Sequence, residues 1–136
     1  MKPLSGYRVV LWGPEDIALE LLGENLVCQG FRVHTVGSLE ELSNALEEQD
    51  VDLIVARLCR CFAEPLKLLG RLQGAPSAPP LLILTEGPDM HLYLEAMRRG
   101  AFDCVALPLN SQELTRIVTG ALEARALQAS VGGGQL

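Results

Sequence analysis

The stretch "VDLIVARL" (51–58) decides the fold. Apart from Asp52 and Arg57 every side chain in it is apolar. A strand that is apolar at consecutive positions is covered on both faces, and such strands are characteristic of parallel sheets. Working outward, "YRVVLWG" (7–13), "LLILT" (81–85) and "FDCVAL" (102–107) have the same character, while "FRVHTV" (31–36) alternates like an edge strand with one covered face.

Helical patterns fill the gaps. "PEDIALELLGENLVCQG" (14–30) places Ile17, Leu21, Leu22 and Leu26 on one face, with Pro14 suited to a first turn and Gly30 to a C-terminal cap. "SLEELSNALEEQD" (38–50) opens with Ser38 and has Glu41 three residues on, a capping box, with Leu39, Leu42, Ala45 and Leu46 as its buried stripe. A short helix is expected over 64–74, a fourth over 89–100 ended by Gly100, and a fifth over 110–127, with Asn110 or Ser111 as its cap. Five alternating strand–helix units predict an α/β doubly wound architecture. Ligands of such sheets sit beyond the carboxyl ends of the strands, here Leu11–Pro14, Arg57–Cys61, Thr85–Pro88 and Leu107–Leu109. Residues 1–127 are read as one domain and 128–136 as a flexible tail or the start of a linker.

The composition fits a globular protein, with 49% hydrophobic and 21% charged residues among 136. No apolar run approaches the ~20 residues of a membrane span. No signal-peptide pattern precedes residue 10, so a cytoplasmic location is expected. The net charge is −6, and residues 38–52 hold six acids and no base. That surface repels a polyanion, so no direct nucleic-acid binding is expected.

Residues 7–126 resemble the receiver domain of bacterial two-component response regulators. "VDLIVARL", "PLLILT" and "EAMRRGAFDCVALPLNSQEL" carry the resemblance; Gly100, Ala101, Asp103 and Pro108 fit receivers of the nitrogen-regulation type. It implies a flavodoxin-like five-stranded parallel sheet of order 2-1-3-4-5 with five helices. It also implies an acidic pair for Mg²⁺ after the first strand, a phosphoacceptor aspartate ending the third, a lysine before the final proline and a switch aromatic on the fifth strand. This sequence has Trp12 and Gly13, then Arg57, Leu107 and Cys104 at those places; Thr85 alone keeps the expected hydroxyl.

Phosphoryl transfer to a carboxylate needs a nucleophile and a divalent cation. Mg²⁺ takes hard oxygen ligands, and an arginine that stays protonated is neither ligand nor nucleophile. The sequence therefore reads as a degenerate receiver that is not phosphorylated, has no enzyme activity, and needs no cofactor or metal. Arg57 either pairs with a carboxylate, Glu86 first and Glu15 or Asp16 next, or is simply solvated.

Interaction is expected on the face of the fourth helix, fifth strand and fifth helix, through Met90, Tyr93, Met97 and Arg98, with a protein partner or a second copy. Two alternatives are a small-molecule or anion sensor at the Arg57/Thr85 rim, and a residual phosphoacceptor using Asp52 or Thr85. Cys59 and Cys61 beside Arg57 and Arg60 allow a redox role, although packing is the plainer reading. Cys28 and Cys104 are expected in or near the core, and His34 and His91 on the surface.

Overall fold

The computed structural model describes residues 6–14, 16–58, 78–107 and 110–134. Five strands form one parallel sheet: β1 (Arg8–Trp12), β2 (Arg32–Val36), β3 (Leu53–Arg57), β4 (Leu81–Thr85) and β5 (Asp103–Ala106). Their order is β2-β1-β3-β4-β5, the flavodoxin-like arrangement. Among the described residues there are four helices: α1 (Ile17–Cys28), α2 (Leu39–Glu48), α3 (Met90–Arg98) and α4 (Ser111–Gly134). The helix expected over 64–74 lies outside the described residues.

Strand side chains point alternately to the two faces of the sheet. Val9, Leu11, Leu53, Val55, Leu82 and Leu84 enter one core with α1 and α4. Val10, Trp12, Ile54, Ala56, Leu81 and Ile83 enter the other with α2 and α3. That division explains why β3 and β4 are apolar at consecutive positions. β2 lies at an edge and leaves Arg32, His34 and Thr35 exposed.

The helix ends follow local chemistry. Ser38 Oγ accepts the Glu41 amide at 3.1 Å, the expected N-cap of α2. Asn110 Oδ1 accepts the Glu113 amide at 2.8 Å and caps α4. Gly30 and Gly100 adopt φ of 104° and 102°, which L side chains resist. After Gly30, the amides of Gly30 and Phe31 reach back to Val27 and Leu26; after Met97 the same pair of bonds joins Gly100 to Met97 and Ala101 to Ala96. Each is a Schellman stop.

Three expectations are corrected. α1 begins at Ile17 and is capped by Asp16, so Pro14 lies outside it. Its buried stripe is Leu19, Leu22 and Leu26, and Ile17 and Leu21 are exposed. Apolar residues surround the helix, so two stripes compete for the sheet. α4 continues beyond 127 to Gly134 and so takes in the glycine run, since 128–131 hold no helix breaker.

Candidate functional site

Trp12, Gly13, Arg57 and Thr85 converge at the carboxyl ends of β1, β3 and β4, where the strand order reverses. Arg57 ends β3 and is only 7% exposed. Its Nε lies 3.3 Å from Asp16 Oδ2, and its Nη2 lies 3.7 Å from Glu86 Oε1. Its Nη1 donates to the Leu58 carbonyl at 3.3 Å. The Asp16 contact is close enough for an ion pair, but the Nε–H is not aimed as a hydrogen bond. A buried guanidinium is costly without compensating charge, and the two carboxylates supply it. Glu86 is largely exposed, so Asp16 is the stronger partner. Glu15 lies outside the described residues.

Asp16 serves twice. Its Oδ1 accepts the Leu19 amide at 2.7 Å and caps α1, while its Oδ2 faces Arg57. The start of α1 and the end of β3 are thus held by one side chain.

The other rim residues are committed to packing. A Cβ on Gly13 would stand 2.7 Å from Arg57 Cβ, so the close approach of β1 and β3 needs glycine there. Trp12 is fully buried in the core shared with α2 and α3. Thr85 Oγ1 donates to the Gly87 carbonyl at 2.9 Å. Leu107 packs against the α1/α4 core and donates its amide to the Thr85 carbonyl at 2.8 Å.

This donor set does not fit a divalent cation. Positions 12, 13 and 57 offer an indole, no side chain and a cation, and among the described residues the carboxylates Asp16 and Glu86 pair with the guanidinium. Among the described residues no group of three or more His, Cys, Asp or Glu side chains is placed to hold a metal ion.

Asp52 lies at the opposite end of β3. Its Oδ2 accepts the Arg8 amide at 2.9 Å, and its Oδ1 meets Arg125 Nη1 at 3.2 Å; Arg125 also bonds the Val51 carbonyl. Asp52 thus ties three segments together, away from the rim. Arg125 was not singled out in the sequence, and its place one turn beyond Ala121 and Leu122 on the buried stripe was the available signal.

On α3, Met90, Tyr93 and Leu94 are exposed, Ala96 is buried, and Leu92 and Met97 pack inward. Met97 therefore leaves the expected interaction stripe and Leu94 joins it. Two interleaved apolar sets at similar spacing had made the facing ambiguous. Arg98 is exposed and pairs with Glu95 at 2.8 Å; Glu95 also meets Arg99 at 2.7 Å. The Arg99 hydrogen bond, against a smaller opposing effect of burial, holds the Glu95 carboxyl below its ordinary pKa. An open groove of about 510 Å³ runs between β5 and α4, lined by Phe102, Cys104, Arg116, Ile117 and others.

Cys28 is exposed, contrary to expectation, because it sits on the outer side of α1; Cys104 is half-buried. Burial, then Asp103 and Asp89, push the Cys104 thiol up. Fewer thiolates mean slower alkylation. In a Cys59→Ser/Cys61→Ser background, iodoacetamide at pH 8 is expected to label Cys28 several-fold faster than Cys104, as read by peptide mass mapping. Equal rates would contradict the burial of Cys104. Cys59 and Cys61 lie outside the described residues. His34 and His91 are both exposed.

No family model matches the chain. Regulatory protein AtoC of Escherichia coli K12 is 23% identical over 124 residues, 91% of this chain and 27% of that protein. A response regulator receiver domain protein from Clostridium thermocellum superposes with a TM-score of 0.77 at 21% identity, covering 89% of this chain and 98% of that one. The beryllofluoride-activated receiver domain dimer of NtrC4 gives 0.77 at 16% identity, covering 87% and 98%. The fold is that of the response regulator receiver domains, and the homologues together with the structure neighbours support that assignment. The chain spans about a quarter of the length of the first curated relatives it matches. Among the described residues no helix is long and apolar enough to cross a membrane.

Proposed function

We propose that the chain is a phosphorylation-independent receiver module, a non-catalytic cytoplasmic regulator that acts by binding protein. The observation that carries this reading is Arg57 at the end of β3, buried between Asp16 and Glu86. The position that the resemblance gives to a nucleophile holds a cation, and two carboxylates, Asp16 and the largely exposed Glu86, lie within 4 Å of its guanidinium. The same pairing argues against an anion sensor, since an anion would have to displace both carboxylates. With acetyl phosphate and Mg²⁺, intact mass measurement is expected to show no phosphoryl adduct. An adduct mapped to any residue of the chain would overturn the reading.

The binding face is the one formed by α3, β5 and α4, centred on Met90, Tyr93 and Leu94. Its occupant is a regulatory protein or a second copy; the NtrC4 receiver, of the same fold, is a dimer when activated. Nucleic acid is not the ligand, given a net charge of −6. Charge placed at the centre of an apolar contact commonly costs more than ~1.4 kcal/mol, which is tenfold in affinity. Met90→Glu/Tyr93→Glu is therefore expected to weaken capture of a partner, or self-association by light scattering, about tenfold or more at unchanged melting temperature.

A further inference from the structure

The sheet ends on two edge strands, β2 and β5, and their edges differ. Along a strand the main-chain groups of successive residues point alternately to the neighbouring strand and away from it. The Arg32 amide donates to the Tyr7 carbonyl at 3.0 Å, and the Val36 carbonyl accepts the Gly13 amide at 3.3 Å. Arg32, His34 and Val36 therefore face β1, and the N–H and C=O groups of Val33 and Thr35 face outward. On β5 the outward amide of Cys104 is already taken, at 2.8 Å, by Asp103 Oδ1. An edge blocked in this way is a poor template for another strand. Among the described residues nothing blocks the outward groups of Val33 and Thr35.

Side chains select the occupant. Val33 packs toward the α1/α4 core, while Arg32 and His34 lie on the other face of the sheet, both exposed. Arg32 stands opposite Arg8 in register. Like charges facing each other across a ladder are unfavourable, and among the described residues neither guanidinium has a carboxylate partner. Pairing two copies through this edge would not relieve that. The antiparallel register that uses Val33 and Thr35 of both copies sets His34 against its own counterpart and gathers both Arg32 side chains on one face. The stretch 28–36 holds Arg32 and His34 and no acid, in a chain of net charge −6. Exposed charges farther off than ~8 Å are largely screened at physiological salt, so the residues across the ladder decide. We propose that the open edge of β2 takes an extended segment of a partner protein as an additional antiparallel strand, with carboxylates opposite Arg32 and His34 and β-branched residues opposite Val33 and Thr35. Main-chain bonds supply affinity and the alternating side chains supply selectivity. The antiparallel direction is the more stable per residue. This surface is at the far edge of the sheet from the face of α3, β5 and α4, and it does not rest on the function proposed above.

The test is an NMR titration of the ¹⁵N-labelled chain with a synthetic peptide of about seven residues in which Glu and Val alternate. A Lys/Val peptide of the same pattern is the comparison. The Glu/Val peptide is expected to bind more tightly, to shift the Val33 and Thr35 amides and to slow their hydrogen exchange, leaving α3 unchanged. In the antiparallel ladder the Val amides of the peptide bond to β2 and its Glu amides point away. N-methylation of the Val amides should therefore abolish binding, and N-methylation of the Glu amides should leave it. Arg32→Glu, at an exposed position, should weaken the Glu/Val peptide several-fold and reverse the preference toward the Lys/Val peptide. Equal effects of the two methylations would overturn strand addition, and a block by Glu methylation alone would overturn the antiparallel direction. Absence of binding, or protection of Val33 and Thr35 that grows with protein concentration without peptide, would overturn the acidic segment as the occupant. The Met90→Glu/Tyr93→Glu protein should still bind the peptide, so failure here is separate from failure of the α3 face.

Discussion

Asp52→Ala is expected to lower the stability of the domain by about 3 kcal/mol, because it breaks a largely buried ion pair and removes a charged acceptor from a backbone amide. For a chain of this size that is a fall of ~10 °C in the melting midpoint. Asp52 Oδ2 receives the Arg8 amide, and Oδ1 meets Arg125. Removing the carboxylate takes this partner from both in a place with little access to water. Asp52→Asn keeps an acceptor for the Arg8 amide and loses only the charge, so it should cost roughly half as much. Urea unfolding of the two variants, with Arg125→Met and the double mutant to complete a cycle, measures the coupling directly. A loss below ~0.5 kcal/mol for Asp52→Ala would make the pair an ordinary surface contact and refute its structural role.

Gly13→Ala is expected to cost about 2 kcal/mol, the usual scale for forcing one carbon into a packed site. The cause is steric, since Gly13 does not have positive φ and the new Cβ would lie 2.7 Å from Arg57 Cβ. Both atoms are attached directly to strand-end backbone, so neither can swing aside. The clash predicts its own remedy. In an Arg57→Gly background the added methyl meets no Cβ, and Gly13→Ala should then cost at least ~1 kcal/mol less, within the range seen for residues in contact. Equal costs in both backgrounds would show that the close approach of β1 and β3 is not what restricts position 13.

The strands were legible because β3 and β4 are covered on both faces, which makes consecutive apolar residues obligatory. The capping box at Ser38 and Glu41 and the stops at Gly30 and Gly100 were legible because each is set by neighbours in sequence. α1 was less so: Ile17, Leu19, Leu21, Leu22, Leu26 and Val27 surround it, and periodicity alone cannot choose between two apolar stripes. The same ambiguity hid the roles of Met97 and Leu94 on α3. At the site, Arg57 stood out as a cation ending an apolar run. Its stronger partner turned out to be Asp16, because the N-cap position aims that carboxylate at the strand end. Arg125 could not be matched to Asp52 beforehand; the two are 73 residues apart and meet only once the last helix has docked.

That separation bears on how the chain acquires its structure during synthesis. β1 and β3 can pair once residue 57 is free, and Asp52 can take the Arg8 amide at that stage. The guanidinium that completes the cluster belongs to residue 125, past the middle of α4. A nascent chain shorter than this holds a sheet whose lower rim is still open to exchange, and closing so long a loop is among the slower events of assembly. The domain therefore gains its last increment of order late, when translation has passed Arg125, and a ribosome stalled before that codon should display a protease-sensitive β1.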